Sequence, residues 1–104
     1  MNYLGGLIQC GICMKNYNYK NNNGTEVFLC STKKNYSKAK CDSPTIHQSY
    51  LLDIIQTHCL HRDKLYTHSK VKLFVKGIRI TNDYIKIMYK DGSVSEIYPD
   101  KIVF

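Results

Sequence analysis

Four cysteines, Cys10, Cys13, Cys30 and Cys41, are spaced C-x2-C-x16-C-x10-C through the first half of the chain. Two residues between Cys10 and Cys13 let one tight knuckle present both sulfurs to a single ion, and thiolates are soft ligands that favour tetrahedral Zn²⁺. The first 45 residues are dominated by Asn, Lys, Ser, Gly and Tyr and hold few aliphatic side chains. A segment of that size and polarity needs a staple before it can fold. Four cysteines around one ion close the shell, which marks a structural site rather than a catalytic one with an open position.

The chain has 104 residues, enough for one compact domain or two very small ones. It contains five cysteines, and neither a secretory signal nor a long apolar run is visible, so they read as cytoplasmic thiols and metal ligands rather than disulfides. No membrane association is expected. The formal net charge is +7, which suits an anionic partner such as nucleic acid. A Zn²⁺ held by four thiolates adds about −2, leaving the surface basic at about +5.

Residues 3–9 read as a short strand entering the knuckle Cys10-Gly11-Ile12-Cys13. Residues 16–20 and 25–30 alternate apolar and polar around Asn21-Asn22-Asn23-Gly24, and Asn-Gly is the strongest short hairpin signal. Closing that hairpin brings Cys13 and Cys30 together. Residues 31–40 are a basic loop leading to Cys41. Ile46, Tyr50, Leu51, Ile54, Ile55 and Cys59 then recur at helical spacing, predicting an amphipathic helix over 47–60. Residues 61–70 are the expected linker. Period-two patterning predicts strands over 71–80, 84–90, 94–98 and 101–104, with turns at Asn82-Asp83 and Asp91-Gly92-Ser93.

Other ligand sets stay open at this point. His47 follows Cys41 by six residues and would give a Cys3His site, while Cys59 on the helical stripe reads as a buried thiol. His58, His61 and His68 converge with the cysteines at no standard ligand spacing. No nucleophile–base pair can be assembled, so an independent enzyme is not expected.

Leu4-Gly5-Gly6-Leu7-Ile8-Gln9-Cys10-Gly11-Ile12-Cys13, Phe28-Leu29-Cys30 and Lys40-Cys41-Asp42-Ser43-Pro44-Thr45-Ile46 together resemble the zinc β-ribbon of large serine recombinases, the family of phage integrases and conjugative-transposon resolvases. The resemblance covers about residues 3–60, and the terminal stretch Tyr84–Ser93 is similar to a β-hairpin that closes many members. It implies an α+β fold: a zinc β-ribbon over 1–46, one amphipathic helix over 47–60 packed on it, a linker over 61–70, and a small antiparallel sheet over 71–104. About ten residues stand where the family often carries a coiled-coil arm, too few for one. The family's attacking serine lies in an upstream resolvase domain, and no serine here has that context. The chain is therefore expected to be non-catalytic, from a bacterial or phage-encoded recombinase.

In that family the ribbon meets double-stranded DNA. Lys15, Lys20, Lys33, Lys34, Lys38 and Lys40 surround the metal site and would neutralise phosphates. Asn16, Asn18, Asn21, Asn22 and Asn23 would meet base edges or sugar, and Tyr17, Tyr19 and Tyr36 backbone or bases. The alternative is a protein-interaction module that docks on other recombinase protomers, controlling synapsis, or on a directionality factor. Its tyrosine-rich sheet supports that. Cys10→Ser or Cys30→Ser is expected to unfold residues 4–41 and to spare the C-terminal strands.

Overall fold

The computed structural model describes residues 2–31, 44–62 and 65–98. Its elements are strands β1 (Ile8–Cys10), β2 (Tyr17–Asn22), β3 (Thr25–Cys30) and β4 (Ile46–His47), and helix α1 (Gln48–His61). A 3-10 turn (His68–Lys70) and a single helical turn α2 (Val71–Phe74) follow, then β5 (Val75–Ile80), β6 (Ile85–Tyr89) and β7 (Val94–Ile97). The fold is α+β, as expected.

The first sheet is a three-stranded antiparallel ribbon in the order β2-β3-β4. Its hairpin turns on two residues, Asn23 (φ 53°) and Gly24 (φ 89°), both in the left-handed region that a tight hairpin of the primed type needs. Asn21 Oδ1 accepts from the Gly24 amide at 2.9 Å and fixes the turn. The register pairs Tyr17 with Cys30, Tyr19 with Phe28 and Asn21 with Glu26 on one face. Tyr17, Phe28 and Cys30 on that face are buried. The other face carries Asn18 opposite Leu29, Lys20 opposite Val27 and Asn22 opposite Thr25, with His47 of β4 beside Val27.

Helix α1 buries Leu51, Leu52, Ile55 and Cys59. The sequence stripe is rotated by part of a turn: Leu52 is inside, whereas Tyr50 is 40% exposed. The reason is that α1 contributes to a single apolar cluster shared by residues of both sheets, so its buried arc is set by two neighbours rather than one. At its start Gln48 is 2% exposed; its Oε1 accepts from the Tyr3 amide at 2.9 Å and its Nε2 donates to Glu26 at 3.4 Å. Gln48→Leu is expected to cost about 1 kcal/mol, because it takes the acceptor from the part-buried Tyr3 amide. Urea unfolding of this variant beside the exposed Gln56→Leu measures it.

The second sheet runs β1-β5-β6-β7. Strands β5, β6 and β7 form the expected antiparallel meander, and the sheet has one member more than expected. Strand β1 joins it from the other end of the chain, parallel to β5, with Ile8, Gln9 and Cys10 opposite Ile78, Arg79 and Ile80. The strand expected from residue 71 also starts later, at Val75. Val75 pairs with Tyr89, and the Lys90 amide takes the Phe74 carbonyl at 2.9 Å before β6 turns away. Residues 71–73 thus have no ladder partner among the described residues and satisfy their backbone locally, as a helical turn. The strand expected over 101–104 lies outside the described residues. No helix among the described residues is long and apolar enough to cross a membrane.

Candidate metal centre

Cys10 ends β1, Cys13 closes the knuckle and Cys30 ends β3. Their sulfurs lie within 4.8 Å of one another, with Cys13 Sγ and Cys30 Sγ 3.2 Å apart. Cys13 and Cys30 are not disulfide-bonded to each other, since a disulfide holds its sulfurs at about 2.05 Å. The local backbone explains the convergence. The Cys10 amide donates to the Lys15 carbonyl at 2.8 Å and the Met14 amide to the Cys10 carbonyl at 3.1 Å, winding the knuckle. Met14 takes φ 66° to complete it. The Ile12 amide is 3.4 Å from Cys10 Sγ and donates to it, the contact that stabilises a thiolate. The Tyr17–Cys30 pair then delivers the third sulfur from across the hairpin.

Sulfurs bound tetrahedrally at about 2.3 Å from a shared ion sit roughly 3.8 Å apart. The observed triad has that scale, so the donor set fits one face of such a tetrahedron and can hold a metal ion. Cys41 and the basic loop carrying Lys33, Lys34, Lys38 and Lys40 lie outside the described residues. Among the described residues neither His47 nor Cys59 joins the triad. His47 is exposed on the outer side of the ribbon, and Cys59 is buried in the core.

Lys15 is exposed directly after the knuckle, and Lys20 is exposed at the centre of the outer ribbon face. The asparagines divide. Asn18 and Asn22 share the Lys20 face, whereas Asn21 caps the turn. The structure corrects the expectation for two tyrosines. Tyr17 is 3% exposed and its hydroxyl donates to the Pro44 carbonyl at 2.8 Å, while the Tyr19 hydroxyl donates to Glu26 at 2.5 Å. Both rings face inward, because they occupy the alternate positions of β2 that pair with Cys30 and Phe28. Tyr36 lies outside the described residues.

Two groupings were not legible in the sequence. His58 Nε2 lies 2.9 Å from Ser93 Oγ, but that hydroxyl donates to Asp91 Oδ1 at 2.5 Å. Its proton is directed at a carboxylate rather than at the imidazole, and the contact fastens α1 to the β6–β7 hairpin. The other is the seat of the knuckle on β5. The Gly11 amide donates to the Ile80 carbonyl at 2.8 Å. A Cβ on residue 11 would meet Thr81 Cγ2 at 2.5 Å and Arg79 Cγ at 3.0 Å, so glycine is required there by close approach. The only sequence signal for it was Gly11 itself.

A knuckle and hairpin that gather three cysteines, with a third strand and a helix beside them, define a small ribbon able to hold a metal ion. Residues 3–60 match the family described as recombinase zinc beta ribbon domain, and the chain belongs to that family. A solved structure described as "Sequence Requirements of the Listeria innocua prophage attP site" has a similar fold, at TM-score 0.61 and 18% identity. The similarity covers 85% of this chain and 42% of that one, so this chain spans under half the length of the protein it matches. No curated protein matches the chain.

Proposed function

We propose that this chain is the DNA-binding segment of a site-specific serine recombinase and helps to position that enzyme on its attachment site. In this reading Zn²⁺ is held by Cys10, Cys13, Cys30 and Cys41 and plays a structural part. The observation that carries the reading is the outer ribbon face: Asn18, Lys20, Asn22, Thr25, Val27, Leu29 and His47 share it, with no carboxylate among them. A β-ribbon fits the major groove, which is about 12 Å wide. Asparagine pairs with adenine edges, and apolar side chains meet thymine methyl groups. Lys20 and Lys15, with Lys33, Lys34, Lys38 and Lys40 of the loop, supply phosphate contacts that fix the register. Family membership and the resemblance to a structure described by the sequence requirements of a prophage attP site favour the same conclusion.

Binding of the zinc-loaded chain to duplex carrying an attachment half-site, followed against salt, tests this. Lys15→Ala with Lys20→Ala is expected to flatten the slope of log K against log salt by about 1.8, and removal of all four loop lysines by about 3.6, at roughly 0.9 per phosphate. Asn18→Ala should leave the slope alone and relax discrimination by about 1–3 kcal/mol at one base pair. Slopes that stay at the parent value in every lysine variant would remove DNA from the account.

A further inference from the structure

Among the described residues, the buried side-chain nitrogen left without a hydrogen-bond partner is Arg79 Nε. A buried donor in that state costs about 1–3 kcal/mol unless something compensates it. Its position suggests what does. Arg79 stands opposite Gln9 in the β1–β5 pairing, and its Nη2 donates to Gln9 Oε1 at 3.4 Å. Gln9 Nε2 in turn donates to the Met14 carbonyl at 3.3 Å, so the arginine is tied across the outside of the knuckle. The stem of Arg79 passes under Gly11, where a Cβ would stand 3.0 Å from Cγ and 3.3 Å from Cδ. Nε is bonded to that Cδ. The stem of Arg79 therefore lies against the knuckle backbone between Cys10 and Cys13, its head is held by Gln9, and it comes from a strand about 70 residues away in sequence.

Four thiolates on a divalent ion leave about two negative charges in a small volume. We propose that Arg79 is a positioning residue of the metal centre, its guanidinium compensating the thiolate charge and holding the knuckle in its ligating shape. This rests on the metal reading of Cys10, Cys13, Cys30 and Cys41. Arginine suits the task because it stays charged when buried and its planar head is weakly hydrated. Outer-shell partners of this kind are worth about 10–100-fold in metal affinity.

Competition between the full-length chain and a chromogenic zinc chelator, at low and high salt, tests the proposal. Arg79→Met keeps the stem and removes the charge; it is expected to weaken zinc binding about 10–100-fold, most at low salt. Arg79→Lys restores the charge and should recover most of that loss. A purely structural role would not separate these two variants, nor would it respond to salt. Arg79→Gln answers the same question should the methionine variant not fold. Zinc held as tightly by Arg79→Met as by the parent, or lost equally by the lysine variant, overturns the role of Arg79. A parent chain that binds no zinc overturns the metal reading itself, so the two failures are distinguishable.

Discussion

Stripping the metal from this chain is expected to unfold both sheets, not the ribbon alone. A structural zinc contributes about 10–16 kcal/mol in small metal-folded peptides at neutral pH, as much as the whole stability of a typical domain. What decides the extent of unfolding is where the ligands sit. Cys10 is the last residue of β1, and β1 is a strand of the C-terminal sheet. Ile8 and Cys10 are buried opposite Ile78 and Ile80, and the Gly11 amide is bonded to Ile80. The sequence led to the expectation that the C-terminal strands are spared when Cys10 or Cys30 is replaced by serine. The parallel pairing of β1 with β5 argues otherwise. Amide hydrogen exchange with and without chelator measures the difference: protection at Ile78, Ile80, Ile85 and Ile87 should fall with that of residues 17–30, and Cys30→Ser should reproduce the pattern. C-terminal protection that persists without metal would show two independent units.

The second large effect is expected at Phe28. Its side chain is fully buried on the inner ribbon face, beside Ile46 of β4 and edge-on to the Tyr19 ring at 5.6 Å. Truncation there removes a large apolar group from a core that cannot collapse around it. Phe28→Ala should therefore cost about 3–5 kcal/mol in chemical unfolding of the metal-loaded chain. Leu29, one residue on, points to the other face and is only partly buried, so Leu29→Ala should cost far less, within about 1 kcal/mol. The contrast also tests which face is free. Equal losses at the two positions would mean that the ribbon's outer face is covered.

Local signals explain what could be read without coordinates. Asn23-Gly24 names its own turn because both residues adopt positive φ, and that turn fixes which of the neighbouring residues face inward. The cysteine spacing likewise contains most of the candidate metal site, since a two-residue gap constrains the knuckle whatever surrounds it. A ligand role for Cys41 is an expectation from the sequence alone. Long-range pairing was not readable. Ile8-Gln9-Cys10 is too short to announce a partner, and nothing local says that it will lie parallel to Ile78-Arg79-Ile80. The helical turn at 71–74 was hidden for a related reason: Val-Lys-Leu-Phe alternates well enough for a strand, and only the early end of β6 denies it a ladder. Arg79 stands between two buried isoleucines, where an arginine reads as a solvated charge on the open side of a strand. The burial of its Nε appears only once the knuckle is set on top of its stem.

X-ray absorption at the zinc edge of the purified chain, with native mass spectrometry for stoichiometry, probes the coordination that the rest depends upon. One zinc per chain with four sulfur neighbours at about 2.3 Å is the predicted result, and it would also bring Cys41 into the shell. A folded chain carrying no metal, or a shell in which nitrogen replaces sulfur, contradicts it.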